Sequence, residues 1–298
     1  MAVVAAGALV LAGCTSTPDD TASDPSSAPA GSPTDDAMTS DDAGATSGGG
    51  ATAAESTGKV DLGDVTPKDD TVSFSSGSEQ YNAYNGNTAA TNSTYNSVVN
   101  NQLFGGFWYW GTDGAIYPNE WFGSYKTTSE DPLTVEYTIS DEAMWSDGTP
   151  ITANDFLLEW ASSNPESLGG ADKLGFDPVS VDYGEFVPDG PQAEVDSKTF
   201  TLTYPEAYPD WELMVSGALP SHIAEKAAGL EKGALAKAIL DKDTDTVAKV
   251  SKFWNTGWLF KNYKVEDESL VPSSGPYTLE GSTWKAGESL GLVPNEKF

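Results

Sequence analysis

The run Thr134-Val135-Glu136-Tyr137-Thr138-Ile139-Ser140-Asp141-Glu142-Ala143-Met144-Trp145-Ser146-Asp147-Gly148-Thr149-Pro150-Ile151-Thr152-Ala153-Asn154-Asp155-Phe156 changes period midway. Val135, Tyr137 and Ile139 alternate with polar residues, which predicts a half-buried strand. Ser146-Asp147-Gly148-Thr149 has the composition of a tight turn. Pro150 then fixes the chain's approach to a helix. Thr152 is placed to cap that helix, and Asp155 three residues on completes a capping-box pattern. Phe156, Leu157 and Trp160 form its apolar face. The run therefore reads strand, turn, helix.

Working outward, Phe200, Leu202 and Tyr204 repeat the strand alternation. A second helix starts at Ser221, after Pro220, and stops at Gly229. Residues Lys232 to Trp254 are rich in Ala, Lys and Leu and predict one or two more helices. Gly275-Pro276-Tyr277 opens a strand, with Ser289 to Val293 as its hairpin partner. Thr71-Val72-Ser73-Phe74 reads as a short alternating strand. The Asn-rich stretch Tyr81 to Asn101 begins as a loop and becomes helical over Tyr95 to Phe104. No internal repeat is visible. Strands and helices are intermixed, so the class is α/β or α+β.

Composition divides the 298 residues unevenly. All 32 aromatic residues lie at or after Phe74, so the folded part begins near residue 70. The formal net charge is −30. A nucleic-acid partner requires Lys and Arg to displace phosphate counterions, and here acids outnumber bases 45 to 15. An anionic membrane surface would repel the chain, so attachment there must be covalent or apolar. Cys14 is the sole cysteine, which excludes an intramolecular disulfide. It ends an apolar run, Ala2 to Leu11, about half as long as the ~20 residues of a spanning helix. Leu11-Ala12-Gly13-Cys14 resembles a bacterial lipobox, which implies a lipid on Cys14. No Lys or Arg precedes Lys59, so a basic segment is expected upstream of Met1. Residues 15–70 carry 12 acids and 2 bases among Ser, Thr, Pro, Gly and Ala. They predict a disordered, self-repelling tether. The expected organisation is a signal peptide over 1–14, the tether over 15–70 and a binding domain over 71–298.

Catalytic signatures are weak. A hydrolase triad or histidine base would have to use His222, the only histidine, in the first turn of a predicted helix. Asp241, Asp243 and Asp245 start like a calcium loop, but Thr246 and Lys252 stand where Gly and Glu are required. Gly105-Gly106 lacks the context of a phosphate loop. Asn92-Ser93-Thr94 fits a glycosylation sequon of low specificity. Phe104, Phe107, Trp108, Tyr109 and Trp110 are crowded together, most of them expected in the core. Trp108 and Trp110 share one side of an extended segment and are candidate ligand contacts.

The opening run closely resembles the signature of the family 5 extracellular solute-binding proteins, the oligopeptide, dipeptide and nickel-type binders of ABC importers. Asp113 to Pro118, Leu219-Pro220-Ser221-His222, and Ser274-Gly275-Pro276-Tyr277 with Val293-Pro294-Asn295 resemble further family segments, in the family's order. Glu120-Trp121 and Ser273-Ser274 depart from its pattern. The resemblance spans roughly residues 70–298 and is nearest the actinobacterial peptide-binding branch. It implies an α/β, periplasmic-binding-protein-like fold of two lobes (class II, peptide-binding type). Peptide would enter a cleft that closes by hinge motion and docks on a permease and ATPase complex. It implies no catalysis, cofactor or metal, a monomer, and a location on the outer face of the cytoplasmic membrane. The loop after the family's first strand reaches ligand, which makes Asn85, Asn87, Thr88 and Asn92 candidate contacts. The chain reads as a fragment, truncated at both ends, with the second lobe incomplete. Two other readings stay open: the same fold holding an oligosaccharide or another small solute, and a secreted glycoside hydrolase using two carboxylates.

Overall fold

The fold is taken from a computed structural model. The structure describes residues 70–111 and 113–298, and the backbone of two short strands, β1 (Thr52–Ala53) and β2 (Val60–Asp61). These two pair antiparallel within the stretch expected to be a featureless tether. The rest of that tether, the apolar leader and Cys14 lie outside the described residues.

The decisive run folds as read. Strand β3 (Trp108–Trp110) pairs with β4 (Ile116–Pro118) in a hairpin. The main sheet joins β5 (Gly123–Glu130), β6 (Leu133–Ile139), β7 (Gln192–Ala193) and β8 (Thr199–Tyr204) in the order β5-β6-β8-β7. Every pair in it is antiparallel, and Val135 faces Leu202 while Tyr137 faces Phe200. Val135, Tyr137 and Ile139 are buried, as the alternation requires. The helices are α1 (Thr94–Leu103), α2 (Ala153–Ser162), α3 (Gly170–Leu174), α4 (Asp182–Phe186) and α5 (Trp211–Met214). They continue as α6 (Ser221–Ala227), α7 (Ala234–Leu240), α8 (Thr244–Val247) and α9 (Ser251–Thr256). A final hairpin pairs β9 (Tyr277–Lys285) with β10 (Ser289–Pro294).

The core forms where α2 lies on the main sheet. Phe156 stacks on Phe200 at 4.8 Å between ring centroids, and Phe200 stacks on Tyr137 at 4.9 Å. Phe107 and Phe122 close the cluster edge-on. The start of α2 is built as its sequence predicts. The Thr152 Oγ1 accepts from the Asn154 N–H at 3.4 Å, and Asp155 Oδ2 accepts from the Thr152 N–H at 3.0 Å. Asp155 Oδ1 also accepts from the Ser221 N–H and hydroxyl, each at 2.8 Å, fastening α2 to the first turn of α6.

Two expectations are corrected. Thr71–Phe74 forms no strand, and Val72 and Phe74 are 88% and 69% exposed. Four alternating residues do not hold a strand without a ladder partner and an apolar layer to cover. The Lys232–Trp254 stretch breaks into three short helices instead of one or two. Lys242 takes a left-handed φ of 57°, which ends α7, and Asp243 restarts the chain by accepting from the Thr246 N–H at 3.2 Å. The acidic alternation that resembled a calcium loop is thus a helix cap. Ser93 of the sequon caps α1 in the same way, accepting from the Asn96 N–H at 3.2 Å.

The Gly105-Gly106 pair has a packing role. A Cβ on Gly217 would lie 2.4 Å from the Gly105 carbonyl oxygen, and one on Gly106 would lie 2.5 Å from the Ser216 hydroxyl. The two backbones cross too closely for side chains. That crossing brings the 213–219 segment against α1 and forms one wall of the cleft described next.

A candidate ligand cleft beside helix α2

Two concavities flank α2. One, of about 300 Å³, lies at its N-terminus and is lined by Asp155, Ser221, His222, Asp196 and neighbouring residues. Its polar groups are engaged with one another. Asp155 holds Ser221 as above, Asn154 and Asp196 exchange hydrogen bonds at 2.8 and 2.9 Å, and His222 Nε2 meets Asp147 Oδ2 at 2.9 Å. His222 therefore braces the Ser146–Thr149 turn. The same turn is tied to the segment before β9 by the Ser146 N–H donating to Ser273 O at 2.7 Å. These contacts make a scaffold joint.

The pH signature of this joint is testable. Burial pushes the Asp147 carboxyl up, but bonds from His222 and the Thr149 N–H and the His222 charge outweigh it, lowering it from its ordinary 3.8 to about 2. A folded value below the unfolded one stabilises above about pH 4, and that stabilisation is lost as pH falls through 2. Asp147→Asn is therefore expected to lower Tm at pH 6, with the gap to the parent closing between pH 4 and pH 2. Thermal melts of both proteins across that range check it.

The second concavity, of about 340 Å³, opens where the Asn-rich loop, α1, α4 and the 213–219 segment meet. Its walls include Asn87, Asn92, Asn101, Phe104, Tyr183 and the backbone of Val215–Gly217. Glu159, one turn beyond Asp155 on α2, supplies a carboxylate to it. Glu159 Oε1 accepts from Asn87 Nδ2 at 3.0 Å. Its Oε2 is shut off from solvent and has no hydrogen-bond partner, and the Tyr183 hydroxyl is in the same condition. Burial raises the Glu159 carboxyl from 4.5 to about 7. A buried polar atom without a partner is costly in a folded chain.

The sequence-derived contacts divide. Asn87 and Asn92 line this cleft, but Asn85, Thr88, Trp108 and Trp110 do not. Asn85 is buried, donating to Trp254 O at 2.8 Å and accepting from the Asn87 N–H at 2.8 Å. Thr88 is buried against the Thr91 hydroxyl at 2.7 Å. Both shape the loop that presents Asn87. Trp108 and Trp110 share one side of β3, their rings 5.8 Å apart, and Trp110 is 60% exposed. The Trp108 Nε1 donates to Val215 O at 2.8 Å, so it positions a wall residue. Glu159, Tyr183 and the 213–219 segment were not anticipated. The one available signal was an acid inside an apolar run, Phe156-Leu157-Leu158-Glu159-Trp160.

Among the described residues no helix is long and apolar enough to cross a membrane. The model of the bacterial extracellular solute-binding proteins, family 5 Middle, matches residues 117–298. An uncharacterized lipoprotein of Mycobacterium tuberculosis is 29% identical over 229 residues, covering 72% of this chain and 38% of that protein. The chain thus spans well under half the length of that relative. The oligopeptide-binding protein OppA of the same species is 33% identical over 129 residues, covering 42% of this chain and 21% of OppA. Among solved structures, a periplasmic EDTA-binding protein, EppA, superposes with a TM-score of 0.55 at 22% identity, over 74% of this chain and 34% of that one. That likeness shows a shared periplasmic binding-protein fold. With its signature run folded as strand, turn and capped helix and its profile matched over 117–298, the chain belongs to the family 5 bacterial extracellular solute-binding proteins.

Proposed function

We propose that the chain belongs to the substrate-capturing component of an ABC importer, and that its cargo is peptide. It binds without altering its ligand. A lipid on Cys14 holds it to the outer face of the cytoplasmic membrane, residues 15–70 lift the domain clear, and the loaded protein delivers to a permease and ATPase complex. The observation that carries the peptide reading is the chemistry of the cleft beside α2. Side-chain amides of Asn87, Asn92 and Asn101 stand beside a backbone segment, Val215–Gly217, around about 340 Å³ of space. A side-chain amide both donates and accepts, so amides and carbonyls of an extended peptide find partners there, directly or through water. OppA, similar over part of this chain, carries oligopeptide binding in its name, which agrees with this reading.

A melting-temperature screen with mixed short peptides and, separately, mixed oligosaccharides tests it. Peptides are expected to raise Tm in a concentration-dependent way, since a ligand held by the folded state alone stabilises it by mass action. A rise with sugars only would overturn the peptide reading.

A further inference from the structure

Glu159 places one negative charge among amides and rings. Of the residues lining the cleft, it alone carries a charge. Asn87 satisfies part of Oε1, and nothing satisfies Oε2. Oε2 is shut off from solvent as placed, but the terminal torsion of a glutamate side chain is soft, so a partial rotation brings it toward the cleft at little cost. Phe104, Tyr84 and Tyr183 add aromatic surface to the same cleft, and aromatic rings favour cations over anions. The titratable groups facing Glu159 are few. Tyr183 on α4 lies close enough to feel its charge, and Tyr84 lines the cleft. Both phenols are held neutral by burial. Asp155, one helical turn earlier, is occupied by Ser221 and Thr152. No Lys or Arg lines the cleft.

We infer that Glu159, oriented by Asn87, is the receptor for a ligand's ammonium group, so that the cleft selects cationic side chains such as lysine. This rests on the peptide reading above for its cargo, but the charge recognition stands separately. A cation entering the cleft supplies the partner that Oε2 lacks, and partial removal from water strengthens the pair. The competitor is the proton. With the Glu159 carboxyl raised to about 7, protonation removes the receptor as pH falls. Lysine stays charged well above that range. Affinity for the cation is therefore highest above pH 7 and falls by about tenfold per unit below it.

The test uses two peptides that differ only in the ammonium. N-acetylated, C-amidated Ala-Lys-Ala carries it, and the norleucine counterpart does not. Titration calorimetry of the full chain in 0.15 M salt, which screens the protein's overall acidity, is expected to give at pH 8 at least about thirtyfold tighter binding of the lysine peptide. That advantage is expected to shrink from pH 8 to pH 6 in the parent protein, while the norleucine peptide shows no such trend. Glu159→Gln is expected to bring the ratio of the two affinities close to one at every pH. Butylammonium, the lysine tip alone, serves as a third probe. Equal binding of both peptides, independent of pH, would overturn the ammonium assignment and leave the peptide reading standing. Binding of butylammonium with neither peptide bound would support the assignment and overturn peptide as cargo. No binding of any probe overturns both.

Discussion

Phe156→Ala is expected to lower the free energy of unfolding by about 3–5 kcal/mol. Phe156 is fully buried and packs on the sheet. Its ring stacks on Phe200 at 4.8 Å, leans on Phe107 at 5.4 Å and meets Phe122 edge-on at 6.4 Å. Removing it strips the transfer energy of a large side chain and also leaves a cavity bounded by other rings. Those rings sit on β8 and on the segments just before β3 and β5, each with its backbone hydrogen-bonded to neighbouring chain, so the void cannot readily collapse. Phe156→Leu retains most of the volume and is expected to cost about 1.5 kcal/mol or less. Urea unfolding of the three proteins, with the slope unchanged and only the midpoint moved, checks both figures. A loss under 1 kcal/mol for the alanine variant would mean that α2 does not anchor the core.

The same residues show what the sequence made legible. Between Thr134 and Phe156 every local signal agrees with its neighbours. The period is 2 in the strand and helical after Thr152, the turn carries Asp and Gly, and cap and box stand three residues apart. The helix from Ser221 was readable for the same reason, with Pro220 before it and Gly229, at φ 70°, after it. Strand β5 was not readable. Its residues Ser124 to Glu130 are nearly all polar, because it is an edge strand whose only large inward ring is Tyr125. Edge strands hide from an alternation search since most of their surface faces water. The break between α7 and α8 turns on one left-handed residue, Lys242, and nothing in a lysine advertises that backbone.

The cleft was less legible than the scaffold. An Asn-rich loop announces hydrogen bonding but not its direction. Asn96 turns inward to Asn82, and Asn85 turns to Trp254, at 2.8 Å each. Only the structure separates these from Asn87 and Asn92, which line the space. Glu159 was masked in the opposite way. It follows Leu158 on a largely buried helix, and one acid in such a run ordinarily points to solvent. Tertiary contacts from Asn87 and α4 fold over that position, and contacts so distant in sequence leave no local trace.

Asp155→Ala is expected to cost about 3–4 kcal/mol, although the residue lies outside the candidate ligand cleft. Burial pushes the Asp155 carboxyl up even against three hydrogen bonds that pull it down. Its charge is therefore a liability in itself, and its value lies in the donors it satisfies. Those are the Thr152 N–H, the Ser221 N–H and the Ser221 hydroxyl. Alanine strands all three where solvent reaches poorly, and each stranded donor costs about 1–3 kcal/mol before relaxation. The first turn of α2 loses its box, and α6 loses its tie to α2 together. Ser221→Ala removes only the hydroxyl, so about 1 kcal/mol is expected from it alone. The double variant separates a joint from two independent caps. If Asp155 bridges the helices, the losses fall short of additive by about 0.5 kcal/mol or more, since the second change removes a partner already missing. Additive losses from chemical unfolding of the four proteins would show instead that Asp155 serves α2 alone, and that α6 is held to it by apolar packing.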